Sequence, residues 1–369
     1  MNNKLINYRH FFPSLKNNPE VIYFDSATTT QKPKVVIEAV NDYLLNYCAN
    51  GDRSTHLWGR KVTKRIQETR EKVAKLLNTH PTNIFFTAGA TDSSEKVVNL
   101  WARENLKKGE ILLGKDDHIA TTSAWKSLPE IDIKYLDSSF AGDYKLDSVK
   151  ESLTDKTKVV VLTHLHNVYG IPMGVEEVVK MLPKEVVTVV DASQSMGHIP
   201  IDLSRLKVDF LYFSGHKMFA LPGIGVLFAS DRVKKSFKDV ESGSLNIPGI
   251  VSLSAAVDFI NKIGIEKIED NISTLTGYLI AKLQEIPGVN FVKGPAVCNC
   301  NLGRGIQSFM LKGISSIEVG QILDTENIYV RTGIHCSSNI NSEQSIRVSM
   351  HVYNTKEDID KLIKALRKI

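Results

Sequence analysis

The chain has 369 residues, 42% hydrophobic and 24% charged, enough to bury a large core in two domains or one large α/β unit. Its net charge of +5 is dispersed along mixed helical faces such as 64–72, where acids interrupt the bases, which argues against a nucleic-acid surface. No apolar run approaches the roughly 20 residues of a membrane span. The polar stretch 1–16 has no secretion-signal pattern, and the four cysteines (Cys48, Cys298, Cys300 and Cys336) lack framework spacing. A reducing cytoplasm is therefore the expected compartment.

From Val35, apolar residues recur at 35, 36, 39, 40, 43, 44 and 47, one stripe of a helix, with Pro33 near the first turn where a missing N–H costs little. A second helix is predicted over about 60–77. Ile84-Phe85-Phe86 reads as a strand and 87–91 as a turn, and Asp92 to Glu95 has the capping-box spacing that opens a helix towards Trp101. Short apolar runs follow at 111–113, 159–162, 186–190, 210–213 and 226–228, with a helix at 175–182 among their separators. This alternation predicts a mostly parallel sheet covered on both faces. After about Ser242 long helices dominate: 248–286 with an interruption at Gly264, then a strand at 306–311, a helix at 316–327, short strands at 329–330 and 346–350, and an amphipathic helix at 356–369. The expected organisation is a large domain over 21–245 and a smaller α/β domain built from 1–20 and 246–369.

The chemistry-bearing residues fall just past the apolar runs, where open α/β sheets collect ligands. Ser214-Gly215-His216-Lys217 ends one run, and Asp191-Ala192-Ser193-Gln194 ends the one before it. A lysine closing a buried strand is out of place unless its amine is used. An acid 26 residues earlier (191 to 217) makes a pair suited to pyridoxal 5'-phosphate: the lysine forms a Schiff base with the aldehyde and the acid keeps the pyridine nitrogen protonated. Gly89-Ala90-Thr91 precedes a helix start whose free N–H groups suit a phosphate, or simply caps the helix. His118 could stack on a cofactor ring. The pair His164 and His166 invites a zinc reading, but no third ligand has supporting spacing, so no metal is expected; Asn167 can instead donate to a phenolic oxygen. In Val330-Arg331-Thr332-Gly333-Ile334-His335-Cys336, a cysteine in a polar loop near His335, Arg331 and Arg347 could hold an activated thiolate. The planar fork of Arg347 suits a substrate carboxylate.

Together these residues resemble the class V aminotransferase superfamily of fold-type I pyridoxal-phosphate enzymes, and within it the Suf-type (group II) cysteine desulfurases. The resemblance runs from about Phe12 to the C-terminus and includes Tyr23-Phe24-Asp25-Ser26-Ala27-Thr28-Thr29-Thr30-Gln31-Lys32-Pro33, Thr163 to Asn167, Asp191 to Gln194, Ser214 to Lys217, Gly223-Ile224-Gly225, Arg331 to Cys336 and Tyr353-Asn354-Thr355. It implies the fold-type I architecture, with Lys217 as the Schiff-base lysine, Asp191 at the pyridine nitrogen, His118 on the ring, and Gln194 and Asn167 near its phenolic oxygen. Ala90, Thr91, Ser214 and His216 would lie at the phosphate, with Ser244 contributed by the partner of a homodimer. Ala27, Arg53, Arg331 and Arg347 would face the substrate, and Cys336 would carry sulfur from L-cysteine as a persulfide to an acceptor protein, as in iron–sulfur cluster assembly.

Several positions depart from that pattern. Gly225 and Gly243 are only about 18 residues apart, where the family carries a longer glycine-rich β-hairpin lobe, and the loop from Cys336 to Arg347 is short. Asp52 precedes Arg53 where histidine is common, Ala90 replaces a phosphate-site threonine, and Leu221-Pro222 replaces a Gly-Pro-Thr pattern. Selenocysteine cleavage, another C–S lysis or transamination are alternative reactions on the same fold, and a non-catalytic scaffold is the remaining reading.

Overall fold

A computed structural model describes residues 7–51, 54–298, 303–337 and 344–369. In chain order its strands are β1 (Ile22–Tyr23), β2 (Ile84–Thr87), β3 (Gly109–Gly114), β4 (Ile131–Leu136), β5 (Thr157–Thr163), β6 (Val187–Asp191), β7 (Phe210–Ser214) and β8 (Gly225–Ala229). They are followed by β9 (Val289–Phe291), β10 (Ile306–Leu311), β11 (Ile328–Tyr329), β12 (Arg331–Gly333) and β13 (Ser345–Ser349). Seven of them form one sheet in the order β2-β8-β7-β6-β5-β3-β4, mostly parallel, as the alternation of strands and helices requires. Only β8 runs against its neighbours β2 and β7.

The sheet is buried on both faces because its central strands are apolar at every position rather than at alternate ones. On β7, Leu211 and Phe213 point into a core shared with Val36, Val62, Val73, Leu253 and Val257, whereas Phe210 and Tyr212 point into a second core with Val97, Trp101 and Phe237. The two-residue period of a strand sorts neighbouring side chains to opposite layers. The first core is closed by the helices Lys34–Asn46, Leu57–Leu76 and Ile247–Ile263. In register, Thr163 faces Asp191 and Asp191 faces Tyr212, so β5 and β6 end level and β7 runs two residues further, to Ser214.

A second body is built on the antiparallel sheet β12-β13-β10-β9, with the helices Ile265–Gln284, Ser316–Thr325 and Lys356–Leu366 packed on it around Leu275, Leu279, Phe309, Val319, Ile346 and Ile359. Two of those helices open with reciprocal capping boxes, Ser315 with Glu318 and Thr355 with Asp358. The parallel pair β1–β11 ties the N-terminal segment to this body. The interruption expected at Gly264 is a 76° bend between Ile247–Ile263 and Ile265–Gln284, at a φ of +91° that favours glycine. Among the described residues no single helix is long and apolar enough to cross a membrane. The expected boundary at 245/246 falls just before Ile247–Ile263, and that helix packs with the larger core, as do Phe12 and Leu15.

The short segment after β8 folds back against the sheet edge. Phe237 is wholly buried beside Phe85 and Phe210. Glu241 accepts both Arg70 nitrogens (2.9 and 2.7 Å) and the Phe86 N–H (2.5 Å), which fixes the segment to β2 and the helix Leu57–Leu76.

Candidate active site

A cavity of about 250 Å³ opens beyond the ends of β5, β6 and β7. Asp191, the last residue of β6, is buried, and both its carboxylate oxygens are held: Thr121 Oγ1 donates at 2.6 Å and the Ser193 N–H at 2.8 Å. Lys217 comes from the tight turn Gly215–Lys217 that follows β7, and its side chain enters the same cavity. Burial lowers its pKa, and Arg347 adds to the shift while Asp191 and the Cys336 sulfur oppose it. A lowered amine pKa favours the neutral form, which is the one that acts as nucleophile or base.

The other side of the cavity is made by loops. His118 caps the short helix Ile119–Thr122, its Nδ1 accepting the Ala120 N–H at 3.1 Å. Burial, with Lys217 adding, holds its imidazole down to about 4, so it is neutral at physiological pH. Ser214 Oγ accepts the Ala90 N–H at 2.9 Å, which joins the end of β7 to the helix Ala90–Lys96. Gly225 makes that junction possible. A Cβ there would lie 2.5 Å from Gly89 Cα and 2.8 Å from the Phe213 carbonyl.

Arg347 sits wholly inside, on β13 opposite Arg331 of β12. Its Nη1 donates to the Asn167 carbonyl (3.0 Å) and its Nη2 to Thr28 Oγ1 (2.9 Å), with Asp25 Oδ1 at 3.4 Å. The next loop carries His335 and Cys336 at φ of +55° and +56°, a left-handed pair that costs side-chain-bearing residues about 1–2 kcal/mol each. Hydrogen bonds from the larger body offset that cost. Asn167 Nδ2 donates to the His335 carbonyl and the Ile119 N–H to the Cys336 carbonyl, both at 2.9 Å, and Ser337 Oγ donates to the Asp116 carbonyl at 3.0 Å. Cys336 is exposed at the cavity mouth, while His335 is buried, bonded through Nε2 to Ser345 and held down to about 3 by burial, with Arg347 adding.

Of the residues singled out from the sequence, Ala27, Ala90, Thr91, His118, Asn167, Asp191, Gln194, Ser214, His216, Lys217, Arg331, Cys336 and Arg347 all line this one cavity. Ser244 does not: it is exposed on the outer surface, where its Oγ accepts Asn50 Nδ2 at 3.3 Å. Arg53 and Cys300 lie outside the described residues. His164 and His166 do not converge on a shared ligand, since His166 stacks on Tyr169 and its Nε2 meets the Asp116 carbonyl. Among the described residues no group of three His, Cys, Asp or Glu side chains is placed to hold a metal ion.

Three supporting residues have roles that the sequence does not announce. Thr121, which holds Asp191, is a plain threonine in a short helix. Tyr144 accepts the Thr163 N–H (2.7 Å) and donates to the buried Asp117 (2.8 Å), tying β5 to the His118 loop. Lys32 passes under the Lys217 turn.

Pyridoxal 5'-phosphate suits this donor set. Thr163 Oγ1, Asn167 Oδ1, Gln194 Oε1, His335 Nδ1 and Arg347 Nε are buried polar atoms without a protein partner, and all five residues line the cavity. Orphaned polar atoms are rare in a folded protein, and their concentration here fits a polar ligand. The amides of Asn167 and Gln194 each spend one N–H on a carbonyl, His335 and Ala27 respectively, and keep the oxygen and a second N–H for the cavity.

The family model for aminotransferase class V matches residues 22–244 and 238–362. A probable cysteine desulfurase of Borreliella burgdorferi is 33% identical over 406 aligned positions, covering 98% of this chain and 95% of that protein. That alignment is longer than the whole chain of 369 residues, so the relative carries residues that this chain lacks. A cysteine desulfurase of Wigglesworthia glossinidia brevipalpis is 29% identical, covering 100% of this chain and 98% of that protein. Among solved structures, the apo cysteine desulfurase of Thermococcus onnurineus superposes with a TM-score of 0.90 at 28% identity, over 98% of this chain and 96% of that one. The Escherichia coli cysteine desulfurase CsdA, in its S-sulfonic acid form, gives 0.89 at 26% identity, over 99% and 98%. With its sheet, its strand-end lysine and aspartate and a family match that spans nearly the whole chain, this protein belongs to the class V aminotransferase family, whose members are pyridoxal-phosphate enzymes.

Proposed function

We propose that this chain is a pyridoxal-phosphate-dependent cysteine desulfurase, converting L-cysteine to L-alanine and retaining the sulfur as a persulfide on Cys336. The observation that carries the reading is the meeting of Lys217, Asp191, Arg347 and Cys336 in one cavity, from four separate parts of the chain. When bound, the cofactor supplies an electron sink for the substrate carbons. Lys217 is the residue that would hold it covalently and, when free, accept a proton on Nζ; Asp191, fixed by Thr121 and Ser193, would meet the ring nitrogen. Neutral His118 can stack without adding charge, and Ala90 and Thr91 at the helix start, with Ser214 and His216 of the same cavity, would meet the phosphate. Arg347, with Ala27 and Arg331 beside it, would receive the substrate carboxylate as a fork. Arg53 is proposed for the same task on its sequence motif alone.

The net exchange is a single sulfur atom. The Cys336 thiol and cysteine give a persulfide and alanine, with the new S–S bond on Cys336 formed as the substrate C–S bond breaks and its carbon takes up a proton. Cys336 at the cavity mouth can both reach inward and hand sulfur outward to an acceptor protein, a role that iron–sulfur assembly would use.

A homodimer is the proposed assembly. The exposed apolar residues Val35, Ile37, Leu44, Leu45, Leu57 and Trp58 lie on the helices Lys34–Asn46 and Leu57–Leu76, which both pack on Ile247–Ile263, and exposed Ser244 is bonded to Asn50, between them in sequence. The free thiols Cys48 and Cys336 suit a cytoplasmic setting. The division into a large unit over 21–245 and a small unit from 1–20 and 246–369 is likewise proposed, with Ile247–Ile263 bracing the larger core.

The test incubates cofactor-loaded protein with L-cysteine and measures alanine and Cys336 persulfide together, beside Cys336→Ala. Both products are expected in the parent; in the variant, no persulfide and alanine cut about 10²-fold or more. A loaded protein that makes neither, yet releases selenide from selenocysteine in both forms, would move the assignment to selenocysteine cleavage.

A further inference from the structure

Lys32 is the residue whose placement the reaction leaves unused. Its neighbour in sequence, Lys34, is exposed and faces Glu38, as surface lysines commonly do. Lys32 is half-buried, and burial brings its amine down to about 7. Among the described residues no carboxylate lies within ion-pair distance of it. Its Nζ instead donates to the Thr30 carbonyl at 2.6 Å and the His216 carbonyl at 2.9 Å, with Thr29 Oγ1 at 3.3 Å. A cation taken from water and matched only by carbonyl and hydroxyl dipoles is costly, and such placements mark a task.

The His216 carbonyl belongs to the peptide that joins His216 to Lys217. It also accepts the Thr30 N–H (3.0 Å), Thr30 Oγ1 (3.0 Å) and Thr29 Oγ1 (3.2 Å). Two residues beyond Lys217 the backbone turns left-handed at Phe219, φ +74°, and the Phe219 N–H donates to that same Thr30 Oγ1 at 2.8 Å. One segment, Thr29 to Lys32, thus grips the chain on both sides of Lys217, and Lys32 brings the only charge to that grip among the described residues.

We propose that Lys32 is a positioning residue for Lys217: through the His216 carbonyl its side chain fixes the peptide that presents the cofactor lysine. The inference rests on the reading of Lys217 as the residue that holds pyridoxal phosphate. The titratable groups that bear on Lys217 are Asp191, Arg347, Cys336, His118, His198 and His216, while the charge of Lys32 bears on His216. Loss of Lys32 leaves the threonine donors in place, so the turn persists but is held less firmly.

The experiment uses the full-length protein, stripped of cofactor and titrated with pyridoxal 5'-phosphate, with thermal unfolding followed in parallel. Lys32→Met keeps the stem and removes both donor and charge. Its Kd for the cofactor is expected to rise about tenfold, the scale of one charge-assisted hydrogen bond. Lys32→Arg keeps a charged donor and should return the Kd towards the parent value, a rescue that a general loss of folding would not show. Should Lys32→Met fail to fold, Lys32→Gln, which takes the charge off the donor, must still raise the Kd. An unchanged Kd in Lys32→Met, or in Lys32→Gln, overturns the positioning role alone. A parent protein that takes up no cofactor overturns the reading of Lys217, and the positioning role with it.

Discussion

The turn that carries Lys217 and the loop that carries Cys336 face one cavity but are held by different means. Lys217 follows a strand buried along its whole length between two hydrogen-bonded neighbours, and the Gly215 N–H then meets the Ile224 carbonyl at 2.8 Å. Cys336 hangs on left-handed backbone, is exposed, and is held laterally by Asn167, Ile119 and Ser337. The difference matches the proposed tasks. A group that must keep one position is placed by the sheet, whereas a group that must pass its cargo to another molecule is presented on a braced loop.

The largest expected effect belongs to the sheet-held group. Lys217→Ala should reduce alanine formation by more than about 10³-fold while circular dichroism stays parental; residual turnover near the parental rate would break the comparison. Cys336→Ala should cost about 10²-fold or more in turnover of cysteine and abolish the persulfide, yet leave the unfolding midpoint nearly unchanged because the side chain is exposed. Arg347→Ala should do harm on both counts. Removing one partner of a buried pair costs about 3–5 kcal/mol, and the KM for cysteine should rise with it; denaturant unfolding and steady-state kinetics together check this.

Stability against pH sharpens the contrast between the two kinds of buried group. His118, His164, His166, His198 and His216 are held down to about 4 and His335 to about 3, chiefly by burial, against an ordinary value of 6.5. The folded chain therefore binds fewer protons than the unfolded one between about pH 4 and 6.5, and stability should rise with pH across that window. Asp117 runs the other way. Burial pushes it up to about 7 from 3.8, so its contribution is lost as pH rises through that range. Chemical denaturation at several pH values should show a net rise, and Asp117→Asn should steepen it. The smallest effect is expected far from the cavity, where Glu241→Gln weakens the clasp on Arg70 and Phe86 by about 1–2 kcal/mol without changing turnover.

Much of this was legible because a strand and its chemistry are contiguous in sequence. The runs ending at Asp191 and Lys217 announce both the buried strand and the polar group at its tip, and Gly264 announces the break between two helices. The antiparallel sense of β8 was not legible, since an apolar run of five residues carries no direction. β4 escaped detection because, as an edge strand, it mixes Ile131, Ile133 and Tyr135 with Asp132 and Lys134. β1, only two residues long, exists through its pairing with β11, over 300 positions away. The same distance hides the clamp on Cys336. Nothing near Asn167 in sequence says that its amide will be turned towards the His335 carbonyl, and nothing near Lys32 points to His216.

Gly225 gives the molecule a further property. It does not line the active-site cavity, yet any side chain there would press on Gly89 and drive the segment Gly89–Thr91 away from Ser214. In a saturation library this position should tolerate as little as Lys217 itself. Drift among descendants of this chain would then be blocked at a site that an inhibitor could never touch, and a map of tolerated variation would trace the buttress of the cavity as faithfully as its lining.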